Sequence, residues 1–429
     1  MNYAQALQYL NSFVNYEKTP PKSHAELNLE RMRYGLALLD HPEENFFPVL
    51  IAGTVGKGST GFLLEQIFKA SKTSVGYYHS PHVADIRERI RINGEMVSEK
   101  IWAAGLTDIQ KRIKQNPLPK KLTRFNNVLT RHPRAGGDLG QFTYFEILTL
   151  LAIKIFSDSG LQAGIFEIGM GGRLDATNVL DAPVCILTKI DFDHEQFLGK
   201  TIAKIAAEKA GIIKNAPFVV SCPQQQDAMR VIKKAIAGHP CKLITAKPVP
   251  FQPGLLGEFQ KQNAGNAATA AKILRDYFLF PLTKKNIQTG LRAKKWPGRI
   301  EIISYKKRKI ILDAAHNPAG CYALIKFMKK ENIRPAIILF GALRDKKSPA
   351  MLKELAVLRA PAVMSSLQNP RSKSAHELAQ EASGVFDTIF IADKVRKGFQ
   401  LSLQKTRPGD SIVVTGSFYL VGEVSKWIK

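Results

Sequence analysis

Val49-Leu50-Ile51-Ala52-Gly53-Thr54-Val55-Gly56-Lys57-Gly58-Ser59-Thr60 is an apolar run that breaks into glycines, a lysine and hydroxyls. Residues 49–52 have the composition of a buried strand, and the apolar periodicity of residues 61–70 predicts a helix. Between them, the glycines let the backbone turn tightly and direct its N–H groups toward an anion at the helix N-terminus. The stretch therefore predicts a strand, a phosphate-binding loop and a helix.

This loop has the residue types that bind the phosphates of a nucleotide. Lys57 would neutralise the outer phosphates, and a hydroxyl of Ser59 or Thr60 would reach the phosphates or their Mg²⁺. A glycine separates the lysine from the first serine, so the spacing departs from the strict Walker pattern. An ordinary glycine-rich turn is the alternative. The residues expected to contact the nucleotide are Gly53, Thr54, Gly56, Lys57, Gly58, Ser59 and Thr60.

Length and composition indicate a globular protein. A chain of 429 residues exceeds the size at which one core keeps growing, so we expect two domains. No stretch is apolar enough to span a bilayer and no export signal is visible, so we expect a cytoplasmic protein. The four cysteines form no CxxC pair, which argues against a disulfide framework or a zinc site.

The chain is strongly basic, with 62 Lys and Arg against 36 Asp and Glu and a formal net charge of +26. Such an excess attracts nucleic acids, anionic membranes or small polyanions. The basic residues are spread along the chain and are not interleaved with aromatic residues in a nucleic-acid-reading module. We therefore expect a solvated basic surface that draws in ATP and carboxylated substrates, with no nucleic-acid or membrane partner.

A second informative stretch, residues 163–178, is an apolar strand that ends at Glu167 and opens into glycines. This arrangement is typical of a carboxylate that holds the Mg²⁺ of a nucleotide across from a phosphate loop. If Glu167 has no such role, a buried Arg or Lys must pair with it. Asp175, further along, either caps the following turn or contacts a substrate.

Ser80 and His194 follow two further predicted strands, Val75–Tyr78 and Val184–Leu187. Taken alone, Ser80 is typical of a turn. His194 is either structural or a metal ligand, because parallel sheets bind ligands at the carboxyl ends of their strands. A helix predicted over residues 201–214 places Lys209 beside its apolar face, whereas residues 117–140 are predicted to form an exposed insertion.

Together these motifs resemble the folylpolyglutamate synthases, including their bifunctional dihydrofolate synthase form, in the Mur ligase superfamily. The resemblance runs in order along nearly the whole chain. It is carried by residues 53–59, 80–82, 87–95, 166–178, 193–194, 208–214, 296–299, 312–318, 341–346 and 416–422. The glycine-rich segment 166–178 is the most specific of these.

The resemblance implies an ATP-dependent amide ligase that adds L-glutamate to a folate or to dihydropteroate through an acyl phosphate. The implied fold is α/β, with a P-loop NTPase-like N-terminal domain and a smaller Rossmann-like α/β C-terminal domain. We place the boundary at a basic, Pro- and Gly-containing joint, giving domains 1–295 and 296–429, and we expect a monomer. Another Mur-type ligase acting on a different carboxylate, a nucleic-acid-dependent ATPase and an inactive binding protein are the alternatives.

The resemblance also implies roles for individual residues. Ser80, Glu167 and His194 would ligate Mg²⁺, and carbamylated Lys209 would serve a second ion. Lys57, Lys209 and His316 would be catalytic, and Asn263, Arg299 and Asp313 would contact ATP, with Asn266 as an alternative to Asn263. The pterin site would be lined by Thr143, Tyr144, Phe145, Glu146, Leu174, Asp175 and Ala176. The chain departs from the family pattern at Val55, where the family has Asn, and at Phe259, where it has His; these changes bear on substrate identity more than on ATP use.

Overall fold

The computed structural model describes residues 1–18, 27–119 and 142–428, so from residue 120 onward the predicted insertion lies outside the described residues. The chain forms two compact units. Unit 1 comprises Met1–Ser80, Arg87–Pro248 and Asn263–Leu291, and unit 2 comprises Pro81–Ile86, Val249–Gln262 and Arg292–Lys429. Within the described ranges, every helix is too short or too polar to cross a lipid bilayer.

Unit 1 contains an eight-stranded sheet in the order β4-β3-β2-β5-β1-β6-β7-β8. Its strands are β1 Phe47–Ala52, β2 Val75–Tyr78, β3 Ile90–Ile92, β4 Glu95–Met96, β5 Ala163–Glu167, β6 Val184–Leu187, β7 Phe218–Ser221 and β8 Lys242–Thr245. β1 lies in the interior of the sheet and pairs in parallel with both β5 and β6. Every strand pair is parallel except β2 with β3 and β3 with β4, so all of these strands except β3 have their carboxyl ends at the same edge of the sheet.

The helices of the described part of unit 1 precede, connect and follow these strands. They are α1 Tyr3–Asn11, α2 Leu29–Leu38, α3 Lys57–Ala70, α4 Glu99–Gln115, α5 Tyr144–Asp158, α6 Glu195–Leu198, α7 Ile202–Ala210, α8 Gln226–Ile236, α9 Gln260–Phe278 and α10 Lys284–Leu291. α3 and α10 pack so closely at Gly290 that a Cβ atom on this residue would lie only 2.4 Å from the Ile67 nitrogen. The predicted strand–loop–helix at residues 49–70 is confirmed, with the helix beginning at Lys57 rather than after Thr60.

Unit 2 contains a six-stranded sheet in the order β13-β12-β11-β14-β10-β9. Its strands are β9 Glu301–Tyr305, β10 Arg308–Asp313, β11 Ile337–Phe340, β12 Ala362–Ser365, β13 Ile389–Ala392 and β14 Ser411–Thr415. Its helices are α11 Pro318–Lys330, α12 Ser348–Ala356, α13 Ala375–Ala382, α14 Val395–Gln404 and α15 Phe418–Ile428. All strand pairs are parallel except β9 with β10.

The core of unit 2 lies on both faces of its sheet, because successive side chains of a strand point to opposite faces. On β10, Ile311 belongs to one apolar cluster, with Leu324 of α11, while Ile310 belongs to the other, with Val424 of α15. A mostly parallel sheet covered by helices on both faces is the Rossmann-like arrangement that the sequence predicts. The α/β fold class is therefore confirmed.

Candidate active site

The phosphate loop connects β1 to α3, and its shape depends on Gly56. This residue has a φ of 95° and is the N-cap of α3. A Cβ atom here would lie 2.3 Å from Oδ1 of Asn263, so both the backbone and the available space require glycine. The predicted nucleotide contact Asn263 thus lies directly against the loop.

Part of the loop is bonded to the segment that follows β6. The N–H groups of Thr54 and Val55 donate to the carbonyl oxygen of Lys189, over 2.8 and 3.1 Å. The Thr54 hydroxyl donates to the Asp191 carbonyl over 2.9 Å and accepts the Asp191 N–H over 3.0 Å. The Val55 N–H group is therefore used to hold the loop against the segment after β6. The N–H groups that suit a phosphate are those of the first turn of α3.

Two lysines meet at the carbonyl oxygen of Gly53. Lys57 Nζ donates to it over 3.1 Å and Lys209 Nζ over 3.0 Å. Lys209 is buried, with 5% of its surface exposed. Burial, and then the charge of Lys57, lower the pKa of the Lys209 amine to about 7. The loop therefore includes a buried amine, that of Lys209, which can lose its proton near neutral pH.

Close backbone packing fixes Lys209 in this position. The glycine-rich segment after β5 lies against the end of α7, where Arg173 N donates to the Glu208 carbonyl over 2.8 Å. A Cβ atom on Gly172 would lie 2.5 Å from the same carbonyl oxygen, and one on Gly211 would lie 2.5 Å from Cβ of Arg173. The glycines that make segment 166–178 distinctive thus allow the two backbones to meet beside Lys209.

Glu167, the last residue of β5, is buried with 4% of its surface exposed. One carboxylate oxygen lies 3.9 Å from Lys57 Nζ, and the other accepts a hydrogen bond from the Tyr77 hydroxyl over 3.2 Å. Lys57 thus supplies the cation that a buried carboxylate requires. This pairing is compatible with either role proposed for Glu167.

The residues present fit a magnesium-bound phosphate. Among the described residues, the buried Thr60 Oγ1 has no hydrogen-bond partner, and an unsatisfied buried hydroxyl costs roughly 1–3 kcal/mol. Mg²⁺ is commonly held by one or two carboxylates together with phosphate oxygens. The carboxylate of Glu167 and this hydroxyl, on neighbouring strand and helix, are ligands of that kind.

Ser80 follows the carboxyl end of β2, and His194 lies in the segment that follows β6. Tyr78 pairs with Phe166, so Ser80 lies beside the carboxyl end of β5. His194 has a φ of 50° just before α6, and its Nε2 lies 3.7 Å from the Asp193 carboxylate. Convergence of Ser80, Glu167 and His194 on one ion stays a prediction. In the described part of the chain, the one group of three clustered metal-ligating side chains is His41, Glu43 and Glu44, which precede β1.

The two segments predicted to line the pterin site meet at Gly169. A Cβ atom there would lie 2.7 Å from the Phe145 ring and 3.3 Å from Oδ2 of Asp175. That Asp175 oxygen accepts the N–H groups of Gly169 and Met170, both over 3.0 Å. Its other oxygen accepts from Thr177, so Asp175 has the capping role, and substrate contact stays a prediction. Leu174 is partly buried and Ala176 is buried beside it.

Thr143 and Glu146 form a capping box at the start of α5. Glu146 also accepts hydrogen bonds from the buried guanidinium of Arg31, with Nη2 at 2.7 Å from Oε1. Tyr144, between them, is buried. The carboxylate of Glu146 therefore stabilises unit 1, whether or not it also faces a substrate.

The remaining predicted residues lie together within unit 2. Oδ1 and Oδ2 of Asp313 accept the N–H groups of Ala315 and Ile300, over 2.9 and 3.0 Å. Burial raises the pKa of Asp313 to about 6, against the opposing charge of Arg299. The Arg299 guanidinium lies 4.9 Å from the centroid of the Phe418 ring, and the His316 ring lies 5.6 Å from it. Phe418 therefore contacts both predicted residues.

Sequence reasoning missed Tyr77. Its ring lies 5.0 Å from that of His79, two residues along, and its hydroxyl contacts both Glu167 and the Gly58 carbonyl. The only sequence signal is the alternation along β2, which places residues 77 and 79 on one face.

Residues 298–418 match the family described as Mur ligase, glutamate ligase domain. The chain is 30% identical to a probable dihydrofolate synthetase of Schizosaccharomyces pombe, over 94% of this chain and 99% of that protein.

Two solved structures cover almost the whole chain. The folylpolyglutamate synthase of Mycobacterium tuberculosis, complexed with ADP and AMPPCP, is 26% identical with a TM-score of 0.83, over 99% of this chain and 98% of that one. The bifunctional folylpolyglutamate synthase/dihydrofolate synthase of Yersinia pestis, complexed with AMPPNP and a Mn ion, is 27% identical with a TM-score of 0.78, over 100% and 98%.

Proposed function

The chain belongs to the folylpolyglutamate synthase and dihydrofolate synthase family of the Mur ligases, and on that premise we propose that it joins L-glutamate to a pterin-linked carboxylate at the expense of ATP. The carboxylate is that of a folate, of dihydropteroate, or of both. The observation that carries the proposal is the meeting of Lys57, Lys209 and Glu167 around the phosphate loop. These are the charges that phosphoryl transfer from ATP requires.

The chemistry explains why such a loop is needed. A carboxylate is a poor electrophile, so one of its oxygens first attacks the γ-phosphorus of ATP, and ADP leaves. The resulting acyl phosphate is attacked by the amine of glutamate, and inorganic phosphate leaves as the amide forms. Catalysis of the first step depends on positioning and on neutralising charge. Lys57 and the first turn of α3 would supply both to the transferred phosphate.

We assign Mg²⁺ to Ser80, Glu167 and His194, with a second ion beside carbamylated Lys209. When bound, the metal would neutralise charge on the phosphate oxygens. The buried amine of Lys209, with its pKa of about 7, is a nucleophile for CO₂ near neutral pH. The carbamate would replace a cation next to Lys57 by an anion, which removes the repulsion between the two lysines.

The other site assignments complete the proposal. Asn263, against Gly56, and Arg299 and Asp313, in unit 2, would contact ATP, with His316 nearby. Phe145 and Leu174 belong to the two segments assigned to the pterin. Functionally, residues 1–295 would be the ATP-binding domain and residues 296–429 the ligase domain. We expect a cytoplasmic monomer with no nucleic-acid partner.

The test is a ligation assay. Purified protein is incubated with ATP, Mg²⁺ and labelled glutamate, and with dihydropteroate or tetrahydrofolate in turn. Amide products are identified by mass spectrometry, and ADP release is measured in parallel. We expect one ADP for each glutamate added, and no product when ATP is omitted.

The outcomes separate the alternatives. Product with either pterin supports the proposal and identifies the accepted substrate. ADP release with another carboxylate alone would instead indicate a Mur-type ligase of different specificity. ATP cleavage stimulated by RNA, without an amide product, would replace the proposal with a nucleic-acid-dependent ATPase. No ADP release and no product under any condition would indicate an inactive binding protein.

A further inference from the structure

Tyr77 occupies a central position in the candidate site although no step assigned above uses it. It is fully buried on β2, which lies between β3 and β5. Its hydroxyl lies 3.2 Å from Oε2 of Glu167 and 3.2 Å from the carbonyl oxygen of Gly58, in the first turn of α3. One phenol group thus touches both the predicted metal carboxylate and the phosphate-loop helix.

The first turns of α3 are shaped to admit this side chain. A Cβ atom on Gly61 would lie 2.5 Å from the Tyr77 hydroxyl oxygen and 2.6 Å from its ring carbons. Gly61 is helical, where glycine costs roughly 1 kcal/mol relative to alanine. The absence of a side chain at residue 61 therefore makes room for the tyrosine.

The hydroxyl has one proton and faces two acceptors. A hydrogen bond to an ionised carboxylate is roughly twice as strong as one to a neutral group, so the proton goes preferentially to Glu167. The other oxygen of Glu167 lies toward Lys57, at 3.9 Å. Tyr77 and Lys57 thus restrain the two carboxylate oxygens separately.

We infer that Tyr77 is a positioning residue that orients the Glu167 carboxylate for its metal and fixes that carboxylate relative to the phosphate loop. The inference rests on the proposed metal site at Glu167. Groups that bond to a ligating carboxylate typically change metal affinity by about 10- to 100-fold when they are removed. Tyr77 acts through Glu167 and needs no contact with the substrate.

Tyr78 offers a matched control. It is the next residue of β2, is equally buried and points to the opposite face, where its hydroxyl accepts a hydrogen bond from Thr149 over 3.3 Å. Tyr77→Phe and Tyr78→Phe each remove one buried phenol oxygen from the same strand. Tyr77→Phe removes the contacts with Glu167 and Gly58, whereas Tyr78→Phe removes the contact with Thr149.

The test measures metal binding without turnover. Free Mn²⁺ is followed by electron paramagnetic resonance in the presence of AMPPNP, for the wild-type chain and both variants. We expect Tyr77→Phe to weaken Mn²⁺ binding about 10-fold or more, and Tyr78→Phe to change it less than 2-fold. ADP binding without metal should be equal in all three proteins, which a general loss of structure would not allow.

A double-mutant cycle with Glu167→Gln tests whether Tyr77 affects metal binding through the Glu167 carboxylate. Tyr77→Phe should weaken Mn²⁺ binding much less when Glu167→Gln is already present. Equal effects of Tyr77→Phe in both backgrounds, or wild-type Mn²⁺ affinity in Tyr77→Phe, would overturn the inference. If wild-type protein with AMPPNP binds no Mn²⁺, the proposed metal site itself is wrong.

Should Tyr77→Phe not fold, 4-aminophenylalanine at position 77 keeps the ring and supplies N–H donors to both acceptors. This variant should bind Mn²⁺ within about 3-fold of wild type, because the donor to Glu167 is retained. A 10-fold loss in a folded 4-aminophenylalanine protein would contradict the inference.

Discussion

Lys57 and Lys209 share one acceptor, the carbonyl oxygen of Gly53, over 3.1 and 3.0 Å. Two ammonium groups so close together repel each other, and burial of Lys209 adds a desolvation cost. Both effects lower the pKa of Lys209, to about 7. The positive charge concentrated at the phosphate loop therefore favours either the binding of an anion or the release of the Lys209 proton.

Lys209→Met should stabilise the protein at pH 6, because methionine removes a buried charge that desolvation and the neighbouring Lys57 both disfavour. Between pH 7 and about 10.5 the unfolded chain holds a proton that folded Lys209 has released, so wild-type stability rises with pH across this window. Methionine removes that dependence. Thermal unfolding in CO₂-free buffers, at pH 6 and pH 10, should show the advantage of the variant shrinking as pH rises.

The control for this measurement is Lys204→Met, at an exposed lysine of the same helix. It should leave the melting temperature close to wild type at both pH values. An advantage of Lys209→Met that is constant between pH 6 and 10 would show that Lys209 is not the source of the pH dependence.

Lys57→Ala should lower kcat/KM for ligation by about 100-fold or more, because one preorganised charge at the transferred phosphate is removed. Lys57 is partly exposed, but its loss also removes the cation beside the buried Glu167 carboxylate, so we expect a folded protein of lower stability, and circular dichroism at the assay temperature checks that it is folded. Glu167→Ala should abolish ligation in the same way. Lys69→Ala, in the last turn of the same helix, is the control and should retain wild-type kinetics.

Gly56→Ala should weaken ADP binding at least 10-fold, because its Cβ would overlap Oδ1 of Asn263 and its φ of 95° is strained for alanine. In the double variant Gly56→Ala/Asn263→Ala the overlap is absent, and part of the affinity should return. Calorimetric titration with ADP measures both.

Gly160→Ala is the control for Gly56→Ala, because it introduces the backbone strain of a positive φ without steric overlap. Gly160 has a φ of 59°, and a Cβ atom there would meet nothing within 4 Å. The substitution should lower stability by roughly 1–2 kcal/mol and leave ADP binding unchanged. Wild-type ADP affinity in Gly56→Ala would contradict the close approach of Asn263 to the loop.

Local patterns were sufficient for the elements that hold the phosphate loop. The apolar runs at Val75–Tyr78 and Val184–Leu187 were predicted with their observed bounds. β7, Phe218–Ser221, was missed, because a short apolar run after a helix is equally compatible with a turn of helix.

Contacts between distant residues could not be predicted from the residues alone. The bond from Lys209 to Gly53 spans 156 residues, and the pair of Arg31 with Glu146 spans 115. Composition shows that such side chains need partners, but the choice of partner depends on the sheet order. The same is true of Tyr77, whose neighbours come from β5 and α3.

Glu146→Ala should destabilise the protein by about 3–5 kcal/mol, because it leaves the buried Arg31 guanidinium without its carboxylate. Arg31→Ala should cost a similar amount by chemical denaturation. If Glu146 served only the pterin site, Arg31→Ala would be benign, and Glu146→Ala would raise the KM for the pterin without lowering stability.

Asp313→Asn should change how stability depends on pH between 4 and 7. The folded chain keeps the Asp313 proton up to about pH 6, whereas the unfolded chain loses it near 3.8. Wild-type stability therefore receives a contribution that is fully present below about pH 4 and is lost as pH rises through 6. The loss is about 3 kcal/mol, from roughly 1.4 kcal/mol per pKa unit.

An asparagine at position 313 cannot ionise, so the variant lacks this loss. It keeps an oxygen for one of the N–H groups of Ile300 and Ala315, but its amide nitrogen faces the other, which lowers stability at pH 4. The deficit relative to wild type should then shrink toward pH 7, as measured by urea denaturation midpoints. Asp387→Asn, at an exposed aspartate of unit 2, should match wild type at both pH values. A deficit of Asp313→Asn that stays constant from pH 4 to 7 would mean that Asp313 is ionised throughout, held by Arg299 and the two N–H donors against the cost of its burial.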